Sequence, residues 1–196
     1  MIAVLFSGGI DSMLLAERAH REGRLGALVF IAYNQPAVGE ETIAAETWAA
    51  ARGYSLDRVF TEISGVKNSM AIGPGAAGLR ILPGRNMIML AHAANVAVAK
   101  GCTELWYGAT AADRDYPDCS PDFVRSVNKC LKACGFALQV QAPLVQMDKR
   151  EVIQEARSIG MDINAAWSCY ESPTFDIPCG TCHSCKERSA AMELDR

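Results

Sequence analysis

Two groups of residues in this sequence carry chemistry in their types and spacing. Four cysteines, Cys169, Cys179, Cys182 and Cys185, follow the pattern C-x9-C-x2-C-x2-C. Thiolates at such intervals match a tetrahedral structural zinc site, with an iron–sulfur cluster or four unligated buried cysteines as the alternatives. Four sulfurs leave no open coordination position, so a zinc held there supports structure and activates no water. His183 is surplus once four thiolates are bound and reads as surface, while Lys186 and Arg188 can offset the negative charge of the site. The second group is Ser7-Gly8-Gly9-Ile10-Asp11-Ser12, between the apolar run IAVLF and a helical pattern. A turn in that place aims free backbone N–H groups and the positive end of a helix dipole at whatever enters it, which suits phosphate. The glycines let backbone approach a ligand with no Cβ in the way, and Ser7 and Ser12 add hydroxyls. Neither the Gly-Lys-Ser/Thr of the Walker loop nor a Gly-x-Gly-x-x-Gly fingerprint is present. The bland alternative is a glycine turn with Asp11 or Ser12 as the helix N-cap.

The elements that must position these groups alternate. Apolar, β-branched runs at 2–6, 27–32, 58–63, 104–109 and 137–141 read as short buried strands, and helical patterns occupy about 12–22, 40–52, 87–100, 121–133 and 148–159. Five such units in series predict an α/β fold with a doubly wound, five-stranded parallel sheet. Residues 1–160 would form its main body, carrying the phosphate-type turn, and 161–196 a small C-terminal four-cysteine lobe annexed to it. In these sheets ligands bind at the carboxyl ends of the strands, and the motifs fall there: 7–12, 82–86, 110–119 and the tail. The glycine-rich stretch 64–84 is the longest irregular segment.

Composition narrows the function. Half the residues are hydrophobic and 21% are charged, the balance of a folded soluble chain. No apolar run reaches the roughly 18 residues of a bilayer span, and Met1 leads straight into IAVLF without a basic leader, which predicts a cytoplasmic protein with no membrane partner. A net charge of -3 argues against a nucleic-acid partner and for a small-molecule substrate. Eight cysteines in a chain of 196 residues, four of them within seventeen, favour metal ligation over a disulfide framework. Oligomeric state is open, with a homodimer possible.

The segment SGGIDS after the first strand resembles the PP-loop ATP pyrophosphatases, whose members adenylate a carbonyl or amide oxygen and release pyrophosphate. Together with LPGRN (82–86), YPDC (116–119), WSCY (167–170) and CGTCHSCKER (179–188), it resembles one branch, the 7-cyano-7-deazaguanine synthases or QueC family, from residue 2 to about 188. The resemblance implies an adenine nucleotide alpha hydrolase-like fold and a ligase that takes 7-carboxy-7-deazaguanine, ammonia and ATP to the nitrile. It implies ATP against Phe6, Ser7, Gly8, Gly9, Asp11 and Ser12, and Mg²⁺ with the nucleotide. Substrate would face Arg85, Asn86, Tyr116, Asp118 and Cys119, with catalytic roles for Asp11, Arg85 and Lys149. It also implies one zinc on Cys169, Cys179, Cys182 and Cys185. Read without it, Pro83-Gly84 is a turn, Asn86 an N-cap for a helix beginning at Met87, and Lys149 a first-turn surface lysine. Trp167 and Tyr170 flank the first cysteine, where packing on the cluster competes with base stacking. The sequence departs from the branch at AYNQPA (32–37), which lacks an aspartate and a basic pair, at ADRD (112–115), and at Ala190 and Met192. These departures bear on whether the nitrile or the 7-amido intermediate is the main product. The rivals are a tRNA-thiolating PP-loop enzyme using Cys119 and a non-catalytic zinc-binding interaction module.

Overall fold

The computed structural model describes residues 1–63, 84–172 and 176–193. Five strands, β1 (Ile2–Leu5), β2 (Leu25–Ala32), β3 (Leu56–Phe60), β4 (Glu104–Trp106) and β5 (Gln139–Gln141), form one sheet in the order β3-β2-β1-β4-β5. Every pairing is parallel. The chain winds outward from β1 to β3 and then returns to the other side of β1 at β4. That reversal leaves a crevice at the carboxyl end of β1, the place where open α/β sheets bind ligands.

Both faces of the sheet are covered, and the strand period of two divides the core accordingly. Ile2, Val4, Leu28 and Phe30 pack with α1 (Ile10–Arg21), α2 (Val38–Ala50) and α5 (Lys149–Ser158), through Leu14, Leu15, Trp48, Val152 and Ile153. Ala3, Val29, Ile31 and Leu105 meet α3 (Arg85–Ala99) and α4 (Pro121–Ala133), through Leu90, Ala93, Ala94 and Leu131. Side chains this deeply buried each contribute about 1.5–3 kcal/mol relative to exposure. Edge strand β5 is partly closed by Asn128 of α4, whose amide donates to Val140 O at 2.9 Å and accepts from Val140 N at 2.7 Å. The tail adds a sixth helix, α6 (His183–Glu193), whose Ala191 joins the core cluster of α1 and α5.

Several boundaries differ from expectation by a few residues, and three of them have a local reason. Helix α1 begins at Ile10 because Gly9, in an extended conformation, is its N-cap; Asp11 and Ser12 lie inside the first turn. Helix α3 begins at Arg85, not Met87, because Gly84 at φ 71° turns the chain into it, so Asn86 is not a cap and works within the first turn. Strand β4 stops at Trp106, short of 109, where the backbone passes close to the phosphate turn: a Cβ on Gly108 would lie 3.1 Å from Asp11 Cβ. The stretch 64–84 lies outside the described residues except for Gly84.

Candidate active site

The turn after β1 is shaped by its own hydroxyls. Ser12 Oγ donates to Gly9 O at 2.9 Å and accepts from Ser7 N at 3.2 Å, while Ser7 Oγ accepts from Gly9 N at 3.3 Å. Gly8 holds φ 78°, and a Cβ there would meet Glu41 O at 2.6 Å and Ala45 N at 2.9 Å, so α2 packs directly on the glycine backbone. Phe6 is buried and its ring tilts against Trp48 with centroids 5.3 Å apart, so this residue anchors the loop in the core.

The loop opens into a cleft of about 240 Å³. Phe6, Ser7, Gly9, Asp11 and Ser12 line it, whereas Gly8 faces α2. Across the cleft, a capping box starts α5: Asp148 Oδ1 accepts from Glu151 N and Glu151 Oε2 from Asp148 N, both at 2.8 Å. Lys149 is therefore the first residue of the helix and reaches Asp11, Nζ lying 2.8 Å from Oδ1 and 2.7 Å from Oδ2. Burial works against its charge, but Asp11 and Glu187 more than offset this, and its pKa is raised. This is a partly buried ion pair, not a surface lysine.

On the α3 side, Arg85 donates to the Tyr33 hydroxyl at 3.4 Å. Its burial is outweighed by Tyr33, Tyr170 and Asp118, which keep the guanidinium charged. Asn86 is held by Asp118, which accepts from Asn86 N through Oδ2 at 3.1 Å and from Nδ2 through its carbonyl at 3.2 Å. Nδ2 also lies 3.2 Å from Cys119 Sγ. Arg85, Asn86 and Cys119 thus line the cleft, and Tyr116 and Asp118 stand outside its lining, Asp118 acting through Asn86. Burial pushes the Cys119 thiol up to about 12, so it is a neutral thiol near pH 7.

The four tail cysteines converge, their sulfurs all within 4.8 Å of one another. A tetrahedral zinc with bonds near 2.3 Å needs sulfurs about 3.8 Å apart, which this arrangement fits. Backbone N–H groups already point at the sulfurs: Cys179 N to Cys169 Sγ at 3.2 Å and Cys182 N to Cys179 Sγ at 3.3 Å. The N–H groups of Cys182 and Thr181 lower the Cys179 pKa to about 6 and favour its thiolate. His183 is exposed. Arg188 donates to Ile163 O at 2.6 Å and Ala166 O at 2.7 Å, so it ties α6 to the preceding segment in addition to facing Cys185.

This lobe touches the phosphate turn directly. Trp167 N donates to Gly8 O at 2.9 Å, and the indole Nε1 of the same residue donates to Cys169 O at 2.9 Å. Trp167 packs against the cysteines and also lines the cleft, as Tyr170 does. From α6, Ser184 and Glu187 complete the cleft wall. Glu41, Gln35, Tyr33 and Asp113 also line it and were not singled out as site residues; Tyr33 and Gln35 lie in the departing AYNQPA segment and Asp113 in ADRD.

The family model described as queuosine biosynthesis protein QueC matches residues 1–195. The chain belongs to the QueC family. It is thereby an enzyme of the carbon–nitrogen ligase class. Among similar proteins, the 7-cyano-7-deazaguanine synthase of Marinobacter nauticus is 33% identical over 97% of this chain and 91% of that protein. The 7-cyano-7-deazaguanine synthase of Novosphingobium aromaticivorans is 32% identical over 98% of this chain and 90% of that protein. Solved structures share the fold at lower identity. The U34-tRNA thiolase NcsA from Methanococcus maripaludis, determined with its [4Fe-4S] cluster, superposes with a TM-score of 0.51 at 18% identity, covering 98% of this chain and 64% of that one. The NMN synthetase of Francisella tularensis does so with 0.51 at 13% identity, covering 99% and 76%. Among the described residues of this QueC family member, no helix is long and apolar enough to cross a membrane.

Proposed function

We propose that this protein converts 7-carboxy-7-deazaguanine and ammonia to 7-cyano-7-deazaguanine with two molecules of ATP. The observation that carries the reading is that Lys149 of α5 meets the Ser7–Ser12 turn through its ion pair with Asp11, in one cleft with Arg85 on its wall. A nucleotide laid with its phosphates on the α1 N-terminus meets backbone N–H groups, the Ser7 hydroxyl and a fixed ammonium, while the Ser12 hydroxyl shapes the turn.

In the first half-reaction a carboxylate oxygen of the base attacks the α-phosphorus and pyrophosphate leaves; ammonia then adds to the acyl carbon and AMP departs, leaving the amide. In the second, the amide oxygen attacks the α-phosphorus of another ATP, pyrophosphate leaves, and loss of AMP and a proton forms the C≡N bond. Lys149 and Arg85 hold charge where it develops on phosphate and carboxylate, and Asp11 fixes the ammonium in place. Mg²⁺ accompanying ATP would neutralise phosphate oxygens. A zinc on the four cysteines supplies structure. Ammonia is taken up free or from another chain. A neutral, hydrogen-bonded Cys119 thiol does not favour a persulfide-based thiolation.

The test is mass spectrometry of products from 7-carboxy-7-deazaguanine, ATP and ammonium, following acid, amide and nitrile through time. Formation of nitrile with AMP and pyrophosphate is expected. Amide as the lasting product would move the function to the first half-reaction alone, and the absence of any ATP-dependent mass change would overturn the reading.

A further inference from the structure

Four carboxylates line the cleft: Asp11, Glu41, Asp113 and Glu187. Two are engaged by direct bonds within the protein: Asp11 gives both oxygens to Lys149, and Asp113 Oδ2 accepts from Thr110 N at 2.8 Å and Thr110 Oγ1 at 2.9 Å. Glu187 has no hydrogen bond or ion pair among the described residues, and Lys149 acts on it from farther off. Glu41, half-buried near the start of α2, has a single hydrogen bond among the described residues, from Gln35 Nε2 to its Oε2 at 3.0 Å. Gln35 is itself fixed, its Oε1 accepting from Tyr33 N at 2.7 Å and its Nε2 donating to Ile31 O at 3.2 Å. No cation lies in ion-pair range of Glu41 among the described residues, although Arg85 acts on it from farther off. A carboxylate desolvated in this way against one neutral amide is poorly satisfied, because it has room for about four lone-pair partners.

Accepting the function proposed above, the ligands that enter the cleft include a base whose pyrimidine edge presents an N1–H beside a 2-amino group. Two adjacent N–H donors match a carboxylate in a bidentate pair, as planar N–H forks generally do. We propose that Glu41, aligned by Gln35, accepts the N1–H and 2-amino donors of the deazaguanine and is the residue that selects a guanine-type edge.

The groups around Glu41 make this binding sensitive to pH. Burial raises its carboxyl to about 7, with Gln35 and Arg85 lowering it and Glu40 raising it; the Tyr33 and Tyr170 hydroxyls are the other titratable neighbours. Protonated Glu41 cannot accept both donors. The empty site therefore gains the accepting form as pH rises through about 7, and affinity for the base rises with it.

The experiment compares wild type with Glu41→Gln and Glu41→Asp, reading KM for the base and for ATP separately from pH 6 to 8, with thermal melting as a control. Glu41→Gln should raise KM for the base about tenfold to hundredfold, as expected for a bidentate pair, with ATP KM changed less than about twofold and the pH dependence of base binding flattened. An analogue lacking the 2-amino group should bind wild type nearly as poorly as the true base binds the variant. A rise confined to ATP KM would place Glu41 on the ribose hydroxyls and overturn the proposal, as would no change in either. Calorimetric binding of the base without ATP reads the same contact when no turnover occurs. A wild-type protein that binds base through Glu41 but forms no product would sink the proposed reaction while sustaining the contact; failure of wild type to bind the base would sink the contact.

Discussion

The phosphate turn and the cysteine knuckle both gather charge-binding groups into a few residues, but what shapes them differs. The turn at Ser7–Ser12 is held by the protein alone: α2 backbone closes on Gly8, the Ser12 hydroxyl bridges Gly9 O and Ser7 N, and Phe6 is locked in the core. The knuckle has converging sulfurs and N–H groups aimed at them, yet the packed cluster around them is small, consisting of the cysteines themselves and Trp167. Without an ion, thiolates at such spacing repel. The first is shaped by the protein alone, whereas a metal held by the four sulfurs would be what keeps the second closed. Trp167 joins the two, with its backbone on Gly8 and its indole on the Cys169 carbonyl.

The largest effect should come from the knuckle. Cys182→Ser, or exhaustive chelation, is expected to remove the metal and loosen α6, because structural zinc contributes on the order of 10 kcal/mol to small lobes of this kind. Metal analysis should fall from one zinc per chain to none, with early proteolysis after residue 170 and loss of the Ser184–Glu187 wall. Iron and visible absorbance in the purified protein would instead make the site a cluster.

Second is the chemistry facing the prepared turn. Asp11→Asn frees Lys149 from its fixed position and should lower kcat by about 100- to 1,000-fold, the scale of losing one preorganised charge-stabilising group. The metal content should stay at wild type and the melting temperature should fall by a few degrees at most, since Asp11 lies outside the core clusters but the variant leaves the largely buried Lys149 ammonium without its partner. A variant that melts far earlier but turns over normally would show the pair to be structural.

Third, Gly8→Ala tests whether the turn is held by packing. The new methyl meets two backbone atoms at 2.6 and 2.9 Å and sits at φ 78°, so α2 or the loop must move. The left-handed residue alone costs roughly 1–2 kcal/mol. Nucleotide affinity by calorimetry should drop at least tenfold with zinc retained, separating the two sites.

Legibility in the sequence followed the same division. The turn and the cysteines were readable because their function demands particular residue types at fixed spacing, and the alternating strand and helix patterns gave the parallel sheet. The order β3-β2-β1-β4-β5 brings Asp11 and Lys149, 138 positions apart, into contact, which the pattern could suggest only through resemblance. Helix α6 was not anticipated: HSCKERSAAME is polar and cysteine-bearing, with only Cys185 and Ala191 buried, so it shows no apolar stripe. Glu41 and Gln35 escaped because nothing in AYNQPAVGEE marks a carboxylate turned inward; only the fold reveals that α2 lies on Gly8 and directs Glu41 into the cleft. Asn86 looked like a helix cap because a Gly at positive φ two residues before it is silent in sequence.

The smallest predicted effect probes the joint between the two sites. Trp167→Phe keeps an aromatic ring against the cysteines and keeps the backbone N–H to Gly8 O, but removes the Nε1 bond to Cys169 O. One neutral hydrogen bond is worth about 1 kcal/mol, and its lost partner here is the backbone carbonyl of Cys169, one of the four converging cysteines. If the knuckle supports the turn through this residue, ATP KM should rise about two- to fivefold while zinc stays at one per chain and kcat at saturating ATP is unchanged. That split is what positioning predicts, since once the nucleotide is bound the turn is held by its phosphates as well. Equal loss in both parameters with falling zinc would mean that Trp167 serves only the metal lobe. Unchanged kinetics with normal zinc would mean that the turn needs no help from the tail, and that the two sites are neighbours without being coupled.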